Sequence, residues 1–158
     1  MDIDTLHAPA TSGNFLRYVD EGFFDGGQFH RTVKMDNQPQ NAVKIEVIQA
    51  SIAPSRTKDE YPAIPLERNN RTGLRHLNGT ISMARDKPDT AQSSFFICIG
   101  DQPSLDFGGA RNPDGQGFAA FGRVVKGMEV VKKIQQAPAD GQQLKPPVRI
   151  VKVRRSEP

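Results

Sequence analysis

A mainly β domain, either a barrel or a sandwich, is what this sequence predicts, and three observations predict it. About six short segments carry strand patterning, only two stretches carry helical periodicity, and strands and helices do not alternate as a parallel sheet requires. At 158 residues the chain is most simply one domain spanning 1–158. A chain of that size buries about two thirds of its unfolded surface in one core.

The centre of the pattern is Gly79–Gly100. Thr80–Ala84 alternates polar and apolar residues, Phe95–Ile99 is a dense aromatic and β-branched run, and the polar segment Arg85–Ser94 between them contains Pro88, Asp86 and Asp89. These are two strands joined by a solvated loop, and they form one wall of a groove.

Working from the start, Ile3 between two aspartates reads as the tail of a strand. Thr11 or Ser12 caps a helix over about Ser12–Glu21 that buries Phe15, Leu16, Tyr18 and Val19 and stops at Gly22. After the turn Asp25–Gly27, the segment Phe29–Val33 alternates, which puts Phe29, Arg31 and Val33 on one face. Asp36–Asn41 is a protruding loop. Val43–Ala50 is the next strand, with Val43, Ile45, Val47 and Gln49 on one side and Lys44, Glu46 and Ile48 on the other.

Ser51–Gly73 is a long irregular stretch with three prolines, a length that marks a functional or flexible loop. A second long loop, Asp101–Gly117, has Leu105 as its one sizeable aliphatic residue. Phe118–Val124 is a strand, Met128–Gln136 an amphipathic helix, Pro138–Pro147 a linker and Val148–Val153 the last strand.

Composition excludes several classes. Lys plus Arg is 21 against 18 for Asp plus Glu, and the charges are interspersed, which argues against a nucleic-acid surface. Lys152, Arg154 and Arg155 read as a solvated face and tail. The single cysteine, Cys98, forms no internal disulfide and reads as a buried hydrophobe. No spacing suits a metal and no motif calls for a cofactor. No apolar stretch approaches the roughly 20 residues of a membrane span. Met1–Pro9 lacks signal-peptide character, so the chain as given reads as soluble and cytoplasmic; an upstream segment carrying a signal makes it periplasmic.

Asp106-Phe107-Gly108 matches a kinase tripeptide by letters alone, and the glycines near Gly115 and Gly117 do not open a helix as a phosphate loop does. No Ser, His and Asp set announces a hydrolase. His30 reads as a structural histidine, and His7 and His76 receive no role. Arg31 stands apart: a cation on an apolar strand face is costly unless it is paired in a salt bridge or put to use.

The segments FHRTV, IEVIQ, GTISMAR followed by SSFFICIG, and FAAFGRVVKGMEVV, in this order, resemble the cyclophilin-type peptidyl-prolyl isomerases of the bacterial kind over about Pro9–Val153. The resemblance implies an antiparallel eight-strand barrel closed by two helices, with X-Pro peptides and unfolded proteins as partners and no cofactor. By position in these motifs, Arg31 is similar to the catalytic arginine and Gln49 to the glutamine that orients it. Phe96 matches the floor of a proline pocket and Leu105 a wall, while Val47, Ala84, Arg85, Ser94 and Phe118 fall at substrate-contacting positions.

The chain also departs from the family. Glu46 and Val47 replace an aromatic and a methionine, implying a smaller and less apolar pocket, and Ser94 replaces a glutamine that contacts the peptide. Extra chain over about Lys34–Lys44 extends a loop beside the groove. The family's first strand, which pairs with the C-terminal one, has no counterpart before Ile3: either the chain is truncated, or its start is misassigned, or the barrel has an open edge that invites another strand. A non-catalytic proline-peptide binding module is the competing reading, favoured by Ser94 and Glu46. Ser104 stands at the tryptophan position linked to cyclosporin binding, so an inhibition titration should give weak inhibition by cyclosporin; nanomolar inhibition would overturn that expectation.

Overall fold

The computed structural model describes residues 1–156. Eight strands form one antiparallel sheet: β1 (Asp2–Ile3), β2 (Gln28–Val33), β3 (Val47–Ser51), β4 (Thr80–Met83), β5 (Phe95–Cys98), β6 (Ala120–Arg123), β7 (Ala139–Asp140) and β8 (Gln143–Arg149). Their order is β1-β6-β4-β5-β3-β2-β8-β7, and the curved sheet is barrel-like without closing. β1 pairs with β6 at Arg123 and Gly122, and β7 pairs only with β8, so β1 and β7 are the two edges of the open sheet. Helices α1 (Pro9–Asp20) and α3 (Met128–Gln135) are joined by a single turn, α2 (Asn69–Thr72).

Alternation along the strands gives two cores. On the face covered by α1 lie Phe15, Tyr18, Ile48, Ala50, Ile81, Met83, Phe95, Ile97 and Phe121, together with Val131 of α3. On the opposite face Val33, Ile45, Val47, Phe96, Cys98 and Leu105 form a smaller cluster. Phe95 and Ile97 therefore pack on one side of β5 while Phe96 and Cys98 pack on the other, which is why that run reads as continuously apolar. Cys98 is fully buried, and burial pushes its thiol pKa strongly up.

Several elements differ from the sequence expectation for identifiable reasons. The helix α1 starts at Pro9, whose fixed φ suits the first helical position, and neither Thr11 nor Ser12 caps it. The cap comes from 56 residues away: the Glu67 carboxylate accepts the Thr11 N–H at 2.6 Å, the Ala10 N–H at 3.3 Å and the Thr11 hydroxyl. A carboxylate there also complements the helix dipole.

On β3, residues 43–46 lie outside the strand, so β3 is shorter than the alternation suggests. The long stretch 51–73 contains a 3₁₀ turn, Pro54–Asp59, as well as α2. The expected linker is a hairpin: Gly141-Gln142 turns β7 into β8, with Asp140 paired to Gln143, and β8 ends at Arg149 where Val153 was expected. Pro146 and Pro147 are accommodated in β8 because Leu144–Pro147 bulges out of the ladder between the pairs Arg31↔Gln143 and Phe29↔Val148.

The most consequential difference is in β2. Phe29 pairs with Ala50 but Arg31 pairs with Gln49, so His30 is an extra residue, a β-bulge. Phe29 accordingly joins the larger core against Phe95, while Arg31 and Val33 face the opposite side.

Behind the smaller core is a buried polar network. His76, only 1% exposed, stacks on Phe96 with ring centroids 6.1 Å apart and an interplanar angle of 12°. Its Nδ1 lies 2.7 Å from Asp106 Oδ1, its Nε2 lies 2.8 Å from Ser82 Oγ, and its backbone N–H donates to Asp106 at 2.9 Å. Asn69 Nδ2 donates to the same carboxylate at 2.5 Å, while its carbonyl accepts the Phe107 N–H. His76 and Ser82 are buried and Asp106 is partly so, and the three tie the 105–107 turn to β4 with the serine and the histidine shut away from any substrate. Gly109 and Gly117 close that turn, since a Cβ would lie 2.3 Å from Ser104 O at the first and 2.6 Å from Phe107 N at the second.

Burial acts to raise the Asp106 pKa, but the hydrogen bonds and charge from His76 outweigh it and the net direction is down. A carboxylate held below its unfolded pKa stabilises the fold above about pH 4, and that contribution is lost as the pH falls through the folded value. Asp106→Asn should therefore destabilise the protein at neutral pH by about 1–3 kcal/mol and flatten the acid limb of its urea-midpoint profile. An acid limb unchanged from the parent would contradict this role.

Candidate active site

Four strands place the site's residues by register alone. Arg31 on β2 is directly opposite Gln49 on β3, Gln49 opposite Phe96 on β5, and Phe96 opposite Ser82 on β4. Residues opposite one another in antiparallel strands share a face at about 5 Å spacing. The row is flanked by a second, Val33↔Val47↔Cys98.

A cavity of about 220 Å³ lies over these rows, lined by Arg31, Ile45, Val47, Gln49, Ala84, Arg85, Phe96, Leu105, Arg111, Asn112 and Phe118. Phe96 forms its floor, braced beneath by His76 and contacted edge-on by Phe118 at 5.6 Å and 88°. A larger cleft of about 660 Å³ lies at the β1 end of the sheet, between Asp2–Leu6 and Gly73–Leu77. It lacks the convergence of cation, oriented amide and aromatic floor, so we place the candidate site in the smaller cavity.

Arg31 is half-buried and lies within 4 Å of no carboxylate among the described residues, which removes the salt-bridge reading. Its Nη1 donates to Gln49 Oε1 at 3.0 Å and its Nε to Gln142 Oε1 at 2.9 Å. Burial, followed by the neighbouring charge of Arg111, lowers its pKa, but a guanidinium stays protonated. Two amide oxygens thus hold the cation in place without neutralising it, and among the described residues Nη2 donates to no protein group.

Both glutamines are held in turn. Gln49 Nε2 donates to Ser94 Oγ at 2.9 Å, and Ser94 Oγ donates to Ala50 O at 2.8 Å, so the amide oxygen of Gln49 must face Arg31. Gln142 Nε2 donates to Asn37 O at 3.1 Å, while Asn37 Nδ2 donates to Thr32 O and Gly141 O.

The cavity unites Arg31, Gln49, Val47, Ala84, Arg85, Phe96, Leu105 and Phe118 from the sequence reading. Ser94 is outside the lining, and its hydroxyl is turned to Gln49. Glu46 is also outside, its carboxylate 3.4 Å from Gln135 Nε2. The side chain of Arg85 is consumed by the 106–117 loop: it donates to both Asp114 oxygens, at 2.9 and 3.0 Å, and to Gly117 O.

Sequence reasoning missed Gln142, Arg111, Ile45 and His76. Asp140-Gly141 is a hairpin signal that could have located Gln142. Alternation already put Ile45 on the face of Val47 and Gln49, while nothing local marks Arg111 or His76, whose roles arise from contacts with residues far along the chain.

Residues 1–155 match the sequence profile described as cyclophilin type peptidyl-prolyl cis-trans isomerase/CLD. Peptidyl-prolyl cis-trans isomerase A of Dickeya dadantii is 38% identical over 135 residues, 85% of this chain and 64% of that protein, so this chain spans less than two thirds of that relative. A peptidyl-prolyl cis-trans isomerase of Acinetobacter baylyi is 34% identical over 93% of this chain and 74% of its own length. For isomerase B of Escherichia coli the identity is 35%, over 81% and 72%. A crystal structure of a Cryptosporidium parvum cyclophilin superposes with a TM-score of 0.75 at 22% identity, covering 99% of this chain and 91% of that one, a likeness of fold. By the extent of the profile match and its agreement with the fold, the chain belongs to the cyclophilin type peptidyl-prolyl cis-trans isomerase family.

Proposed function

We propose that this chain catalyses rotation about X-Pro peptide bonds in peptides and unfolded proteins, with Arg31 as the donor that stabilises the twisted amide. The planar amide delocalises the prolyl nitrogen lone pair into the carbonyl, which sets a barrier of about 20 kcal/mol. As the bond twists, the lone pair localises on nitrogen and becomes a hydrogen-bond acceptor that the ground state lacks. A fixed donor aimed at that nitrogen binds the transition state in preference to either planar form.

The observation that carries this reading is the row Arg31–Gln49–Phe96, which sets an unneutralised guanidinium beside an aromatic floor in one small cavity. Phe96, Val47, Leu105 and Phe118 supply apolar walls suited to a pyrrolidine ring, so proline is held while the preceding carbonyl turns. No nucleophile or acid–base pair is required, because no covalent bond is made or broken. In the crystal structure of the Cryptosporidium parvum relative, the dipeptide Ala-Pro was present, which agrees with a proline-containing ligand. Ser94 acts here as a positioning residue for Gln49 rather than as a peptide contact.

A protease-coupled assay on a short X-Pro peptide tests the proposal. Arg31→Ala should lower kcat/KM by about 10²-fold, the scale of losing one positioned donor, with the fold intact by circular dichroism. Equal rates for the two proteins would leave only peptide binding. Ser94→Ala frees the Gln49 amide to turn over, and should lower kcat about fivefold with KM little changed; a change confined to KM would return Ser94 to the peptide-contacting role.

A further inference from the structure

The cavity's charge is one-sided. Three arginines line it, Arg31, Arg85 and Arg111, and no aspartate or glutamate does. The nearby acids are committed elsewhere: Asp114 to Arg85, Asp106 to His76 and Asn69, and Glu46 toward Gln135. Arg31 and Arg111 are therefore two half-buried cations in one cavity, with no carboxylate within 4 Å of either among the described residues.

The place of Arg111 is fixed. Its Nη1 donates to Gln38 Oε1 at 2.7 Å and to Val43 O at 2.8 Å. Gln38 is 2% exposed and clasps the 34–45 loop, donating to Lys34 O and Ile45 O at 2.8 and 2.7 Å. That loop tie uses one nitrogen of the guanidinium and requires no positive charge, since a neutral amide donor makes the same bonds. The charge of Arg111, with its Nε and Nη2 donating to no protein group among the described residues, is left over from the tie. A second cation facing the first is a cost to the empty site, and an anionic ligand group removes it. Asn112, next in the chain, lines the same wall.

We propose that Arg111, with Asn112, forms an anion subsite beside the proline pocket that takes the acidic side chain of a residue adjoining the proline. The preferred substrate class is thus proline flanked by aspartate, glutamate or phosphoserine. This rests on the reading of the cavity as a proline site, with Arg31 reserved for the prolyl nitrogen and Arg111 free for the flanking anion.

The test compares peptides carrying glutamate or glutamine immediately before the proline, and a second pair with the same change immediately after it. kcat/KM is measured for each in low salt and in about 0.5 M sodium chloride, where the screening length falls to a few ångströms. Glutamate should be favoured over glutamine at one of the two positions by about five- to tenfold in low salt, as for one charge-assisted hydrogen bond. Salt should shrink that ratio in the unmodified protein, and Arg111→Gln should bring it near one while Arg111→Lys keeps part of it.

The glutamine peptides report the isomerase reading separately: if they are turned over and the ratios are near one at both positions, the subsite is refuted and the isomerase stands. If no peptide is turned over, the isomerase reading fails, and the same ratios measured as affinities by NMR titration decide the subsite. A preference that survives both high salt and Arg111→Gln also refutes it.

Discussion

A single register, set by one extra residue in β2, is what the rest of the site depends on. Because His30 is bulged, Arg31 turns to the face that Gln49 and Phe96 already share, and the row Arg31–Gln49–Phe96–Ser82 crosses four strands. Side-chain period in a strand is two, so pairing without the bulge would send Arg31 to the face where Phe29 now packs on Phe95. A cation would then enter the larger core beside Phe29, and the cavity would lose its guanidinium. Donor, orienting amide and floor are thus held by backbone ladders, which are stiffer than loops.

The way Arg31 is held follows a consistent electrical logic. A carboxylate partner would fix the guanidinium but consume its charge, as Asp114 does for Arg85. Gln49 and Gln142 fix it with dipoles and leave the charge available. Each amide could in principle present its nitrogen instead of its oxygen, and Ser94 and Asn37 remove that ambiguity by accepting from the nitrogens. The departure of this chain at Ser94 is thereby compatible with an ordered arginine: a short hydroxyl bridges Gln49 to Ala50 O within the sheet.

Much of this was legible in the sequence where the signal is local. The strand pairs β4 and β5, both long helices, and Arg31, Gln49, Val47, Phe96 and Leu105 follow from period-two alternation and motif order. What was not legible depends on distant partners. The cap of α1 is Glu67, so the serine and threonine near its start mislead. Pro146 and Pro147 argue against a strand unless the partner strand tolerates a bulge, as β2 does. His76 sits in an unpatterned loop and acquires meaning only when Asp106 and Ser82 close around it.

The row behind the floor places Cys98 next to Val47 with no exposed surface, and it is the chain's sole thiol. A buried, proton-bound sulfur in that position is silent toward electrophiles for as long as β3 and β5 stay zipped. Its alkylation rate is consequently a clock for the breathing of the strands that carry Gln49 and Phe96, readable without any added label. The flexibility of the strands beneath the cavity can thus be timed on the native molecule, independently of any assay of activity.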